Sequence, residues 1–155
     1  MKSIVKIFGL ISIILVVACK EETSNEAIAF ETQMKKTIQI HDDVMPKMSS
    51  INNLISKLEA EKNELEAKED SDSDEIKIYQ SAINNLKEGH DLMMSWMKSF
   101  SNSFSRAEIN SGLNTKNQDS IKAKLNLLDA QYESAQNMKN SINQALENAE
   151  RILAN

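Results

Sequence analysis

Seam positions recur along the second half of the chain at Ile76, Tyr79, Ile83, Leu86, His90, Met93, Met97, Phe100 and Phe104. Their steps alternate three and four without a break, the signature of a heptad seam on a helix, with His90 inside it. Another seam runs through Ile121, Leu125, Leu128, Tyr132, Ala135, Ile142, Leu146, Ala149 and Leu153, interrupted only by Lys139. Upstream, Met34, Ile38, His41, Met45, Met48, Ile51, Ile55, Leu58 and Leu65 mark a third. Its rhythm slips between Met45 and Ile51, and Pro46 sits in the slip. Proline removes one amide donor and pushes away the carbonyl four residues back, at Asp42, so the pattern predicts a kink near 42–46 rather than a stop.

Helix boundaries follow from the polar punctuation. The stretch "SDSDE" at 71–75 offers Ser or Asp caps with acids in the first turn, and "SRAEINSGLNTKNQDS" at 105–120 is polar, contains Gly112 and breaks the seam. Asp119 or Ser120 is the expected cap of the last helix. The prediction is all-α: helices over roughly 25–69, 74–105 and 119–153, folded as an elongated three-helix up-down-up bundle with coiled-coil-like seams, the first helix kinked at Pro46. At 1.5 Å per residue that first helix would be about 65 Å long. The bundle domain spans 26–155.

The first residues read differently. Lys2 and Lys6 precede "IFGLISIILVVA", an apolar run too short to span a bilayer comfortably. It ends in "LVVAC", with Ala18 before Cys19, the only cysteine in the chain. This resembles the lipobox of bacterial lipoprotein signal peptides. The resemblance implies a signal peptide over 1–18, cleavage before Cys19, a diacylglyceryl thioether on its sulfur and an acylated new N-terminus. Several acyl chains on one residue anchor stably, since each buried methylene contributes about 0.8 kcal/mol. Residues 19–25 are then the lipidated Cys and a short tether. Lys20 is not the Asp that retains lipoproteins in the inner membrane, which implies an outer-membrane destination. Lys20, Glu21 and Glu22 also resemble the surface-export signal of Bacteroidetes lipoproteins; the other reading is a polar tether facing the periplasm.

Composition supports both parts. Without residues 1–18 the chain keeps two glycines, one proline and 16 basic against 23 acidic residues. So little turn chemistry suits long helices, not sheets. An acidic domain without a basic stripe argues against nucleic-acid binding.

Candidate chemistry lies in two similar octets, "HDDVMPKM" at 41–48 and "HDLMMSWM" at 90–97. His41, Met45 and Met48 share one helical face at i, i+4, i+7, and His90, Met94 and Met97 repeat the spacing, with Met93 alongside. Imidazole plus thioether is a soft donor set that suits Cu(I). Trp96 could lay its ring over a bound cation. Pairing the first two helices around a loop near 70–73 puts Met45 opposite Met97 and His41 near Phe100, with the histidines about 15 Å apart along the axis. A site would therefore use His41 with Met45 and Met97, or His90 with Met48 and Met94. The alternative is a packed methionine layer, since Met fills irregular gaps such as those beside a kink. Haem ligation by one His and one Met is a further possibility, without a CxxCH motif to support it. No Gly-rich phosphate loop, nucleophile elbow or Ser-His-Asp arrangement is present, so no catalytic residues and no small-molecule substrate are assigned.

Taken together, "HDDVMPKM", the Trp-Met pair in "MMSWMKSF" and the closing "SINQALENAERIL" resemble small helical lipoproteins common in Bacteroidetes, many labelled "viral A-type inclusion protein". The most specific residues of that resemblance are His41, Met45, Pro46 and Met48, with Trp96, Met97 and Phe100. It implies an anchored helical module of the cell envelope and no established activity. The expectation is a non-catalytic scaffold with an envelope protein as partner and no cofactor; the alternative is a copper-binding protein.

Overall fold

A computed structural model describes residues 25–68 and 72–154. The expected signal peptide, Cys19 and the Lys20-Glu21-Glu22 tether lie outside the described residues. Within them all regular structure is helical: α1 (Asn25–Val44), one 3-10 turn (Met45–Lys47), α2 (Met48–Glu66), α3 (Ser73–Ser103), α4 (Arg106–Ser111) and α5 (Gln118–Leu153). Helix α1 packs on α5, α2 on α3, and α3 on α5. Among the described residues no helix is long and apolar enough to cross a membrane.

The ends are set by caps. Asp72 accepts from the Asp74 amide at the start of α3, as the "SDSDE" stretch suggested. At α5 the cap is Asn117, whose side chain accepts from the Ser120 amide. Asp119 and Ser120, the expected caps, instead sit in the first helical turn. The segment expected to be a polar connection holds α4, nucleated by a capping box. Ser105 accepts from the Glu108 amide, and Glu108 accepts from the Ser105 amide. Gly112 ends α4 with φ +77°, and a Cβ there would stand 2.8 Å from Glu31 Oε1.

The core has a more regular pattern than the sequence suggested. The first arm buries Phe30, Met34, Thr37, Ile40 and Val44 from α1, then Ile51, Leu54 and Leu58 from α2. Phe30, Met34, Thr37, His41, Val44, Met48, Ile51, Ile55 and Leu58 step four and three throughout, straight across Pro46. The slip inferred from Met45 is therefore absent: Val44 is fully buried at that level and Met45 is 45% exposed. Thr37 holds a core position because its hydroxyl donates to the Gln33 carbonyl of its own helix, leaving the methyl to pack.

Helices α3 and α5 each pack on more than one neighbour, and both carry a second stripe beside the predicted seam. On α3 it is Ala82, Gly89 and Trp96; on α5 it is Gln131, Met138 and Ala145, each set seven residues apart. His90, assigned to the seam, is only half-buried, whereas its neighbour Gly89 is fully inside.

Candidate functional site

The two octets meet at Trp96. Its indole is 5% exposed and donates through Nε1 to the Gln131 carbonyl of α5, 3.0 Å away. Phe100 stacks on it at 4.9 Å between centroids, and His41 of α1 stacks at 5.9 Å with the planes 27° apart. Phe100 then meets Phe104, and Phe104 meets Phe30, so a run of rings joins α1, α3 and the segment after it. His41 thus lies one helical turn from Phe100, the neighbour expected from pairing around the loop. Trp96 is the residue at which α1, α3 and α5 converge.

His41 Nδ1 lies 2.9 Å from Asp42 Oδ1. A carboxylate only accepts, so a hydrogen bond here is donated by Nδ1–H and leaves Nε2 facing away from Asp42. Such a carboxylate–imidazole contact is what orients a metal-binding histidine. The remaining members of the candidate set are distributed unevenly. Met93 is fully buried, Met48 and Met97 are partly buried against the core, and Met45 and Met94 are 45% and 41% exposed. His90 stands 3.5 Å from Asp91, with its side chain 39% exposed.

Two links to α5 flank Pro46. Asp43, before the 3-10 turn, pairs with Lys139 at 2.8 Å; Lys47, the last residue of the turn, donates to the Asn143 side-chain oxygen. Lys139 is the residue that interrupted the predicted α5 seam, so that interruption and Pro46 belong to one feature. The hydrogen bond from Lys139, helped by one from Gln39, holds the Asp43 carboxyl below the usual range.

Another strap fastens α4 to α5. Lys124 pairs with Glu108 at 2.8 Å, donates to the Ser103 carbonyl and lies 5.3 Å over the Phe104 ring. Burial pushes the Glu108 carboxyl up, but the Lys124 ammonium and the Ser105 amide and hydroxyl outweigh it, and its pKa lies below the ordinary value. A folded pKa below the unfolded one contributes stability that is full above the ordinary glutamate value of about 4.3 and is lost as pH falls through the folded value. Glu108→Gln keeps a capping acceptor but removes the charge. It is expected to cost about 0.5–1 kcal/mol at neutral pH, a partly exposed pair being screened. Thermal melts should show the difference from wild type vanish once Glu108 itself is protonated.

No family model matches the chain, and neither curated proteins nor solved structures yield a match. The functional reading therefore rests on the residues themselves. Those missed by pattern include Gly89, Ala82, Thr37 and Gln131, which are small or polar, and Phe30, Ile40, Val44, Leu54 and Met138, which fall beside or before the predicted seams. Gln131 is buried with its amide nitrogen donating to Ser99 Oγ. The capping box at Ser105–Glu108 was a signal in the sequence that would have revealed α4.

Proposed function

We propose that this chain is a lipid-anchored helical lipoprotein of the outer membrane, acting as a non-catalytic scaffold or interaction module of the cell envelope. The observation that carries the reading is a joint one: the Cys19 lipobox stands six residues before Asn25, where a packed helical domain begins. An extended chain of that length reaches about 20 Å, so the lipid would hold the start of α1 close to the bilayer. The packing fits an up-down-up bundle of three arms. Asp43–Lys139 and Lys47–Asn143 keep one sequence offset between the first arm and α5, as parallel helices do. Between α3 and α5 the contacts Ser103–Lys124, Trp96–Gln131 and Gly89–Ile142 run in opposite senses. The first arm is bent at the 3-10 turn beside Pro46, and the Lys139 and Lys47 links hold the bend against α5.

The scaffold is exposed on the cell surface through the Lys20-Glu21-Glu22 signal and docks an envelope protein along its flank. Its exposed apolar residues include Ile78, Leu92, Met94 and Leu127. A photo-cross-linking residue at each of these positions in intact cells is expected to give one discrete adduct at some positions, unaffected by copper chelators. No discrete adduct at any of them would contradict the scaffold reading.

The second reading is a soft-metal site of the Cu(I) type, favoured by the Asp42-oriented His41 ring beside Trp96, with Met45 and Met97 from the two octets; His90 with Met48 and Met94 is its other version. Ag(I), a redox-inert stand-in, would then quench Trp96 emission at one equivalent, and Met45→Leu with Met97→Leu would abolish the quenching. On the scaffold reading quenching needs a large excess, and those swaps are nearly silent because Leu and Met are close in volume.

A further inference from the structure

We infer that the end of the bundle formed by the start of α1, helix α4 and the start of α5 is a docking surface for an anionic phospholipid membrane. The inference deepens the lipoprotein reading and rests on it. Several contacts gather these segments at one end. Phe30 packs edge-on against Phe104, Lys124 covers Phe104, and Gly112 abuts the Glu31 side chain. At the other end, Leu65, Tyr79 and Leu153 line a shared groove between the α2–α3 hairpin and the close of α5.

Charge is divided unequally between these ends. Among the described residues, 25–36 and 98–127 hold seven Lys and Arg against four Asp and Glu. Residues 57–68, 72–81 and 147–154 hold five against nine. An acidic domain therefore has one basic end, and that end includes the start of α1, the described segment nearest Cys19 in sequence. The tether adds one lysine and two glutamates, which leaves the end net positive. Lys35, Lys36, Arg106 and Lys122 are all exposed. Ile28, 51% exposed on the first turns of α1, adds an apolar contact at the same end.

The choice of occupant follows from this complementarity and from the chain outside the described residues. The lipid on Cys19 brings a membrane within reach of this end, and basic residues within a Debye length of an anionic surface are drawn to it. The acidic α2–α3 tip is repelled by the same surface. The bundle would thus stand on the membrane with its acidic tip outward, instead of pivoting freely about the tether.

The test uses the lipidated mature protein on vesicles of phosphatidylcholine alone, or with about 30% phosphatidylglycerol, a content that produces a negative surface potential. Amine acylation read by mass spectrometry reports each lysine. Lys35, Lys36 and Lys122 are expected to react on the order of fivefold more slowly on the anionic vesicles. Lys68 and Lys77, near the tip, should keep their rates. The protection should disappear in about 0.5 M salt, where the Debye length falls to a few ångströms. Arg106→Glu with Lys122→Glu should weaken the protection of Lys35 and Lys36 while leaving flotation intact. Co-flotation with phosphatidylcholine vesicles but equal lysine rates on both compositions would overturn the docking surface alone. Failure to float with phosphatidylcholine vesicles would overturn the anchor, and the proposal with it.

Discussion

Trp96→Ala is expected to destabilise the domain by about 3–5 kcal/mol, the range for deleting a large buried aromatic side chain. Folded domains of this size are stable by about 5–15 kcal/mol, so a large share is removed at once. The indole is where α1, α3 and α5 meet: His41 and Phe100 lose their stacking partner, and the donor to the Gln131 carbonyl disappears. A thermal melt should fall by roughly 10–20 °C. Trp96→Phe separates the contributions, keeping most of the apolar volume and losing the hydrogen bond, and should cost about 1–2 kcal/mol. If Trp96→Ala shifted the melt by only a few degrees, the convergence of the three helices on this residue would be wrong.

Gly89→Leu should be the next most damaging change, although it adds apolar surface to a helix. A Cβ at Gly89 would lie 3.2 Å from Ile142 Cγ1 and 3.7 Å from Ile142 Cα, and Ile142 is fully buried. The first contact involves a side-chain atom that can give by a few tenths of an ångström. Gly89→Ala therefore sets a gain in helix propensity of up to about 1 kcal/mol against a small local shift, and should be close to neutral. Leucine has no such escape, because its branches point at the α5 backbone and the two helices must part. Overpacking of this kind costs about 1–3 kcal/mol or more. Melts of both variants check the pair; a stabilised Gly89→Leu would mean that α3 and α5 are not in close contact there.

These two positions show where sequence reading worked and where it stopped. Large apolar residues announce themselves, and Met93, Phe100, Leu128 and Ile142 were found from their spacing and are buried. The helix starts were readable where an Asp or Ser precedes acids, as at Asp72. Gly89 carries no apolar signal, yet it lets α3 approach α5. On the first arm the larger residue was chosen at two levels, Ile38 over Thr37 and Met45 over Val44, which created an apparent slip at Pro46. Thr37 satisfies its own hydroxyl within the helix, a local bond that hydropathy does not register. For the candidate residues, spacing gave a neighbourhood for His41 but not the orientation of the methionines. Pairing around the loop put His41 near Phe100, one turn from the Trp96 ring on which it stacks, but whether Met45 and Met94 face in or out depends on a one-residue rotation that composition does not encode. Both are in fact largely exposed.

Lys139 shows the opposite case. As an interruption in a seam it looked like noise, and its meaning came only with its partner. It reaches Asp43 just before the 3-10 turn, while Lys47 reaches Asn143 from the last residue of that turn. A charged residue in a seam is tolerated where its stem packs and its ammonium finds a carboxylate near the surface.

Attachment of lipid to Cys19 is the claim on which the functional account depends, and labelled fatty acid tests it most directly. Cells expressing the wild-type chain or Cys19→Ser are grown with labelled palmitate, and the protein is recovered from membrane and soluble fractions. The account predicts label in wild type only, with the wild type in the membrane fraction and the variant released from it or left uncleaved. Equal labelling of the two proteins would contradict it.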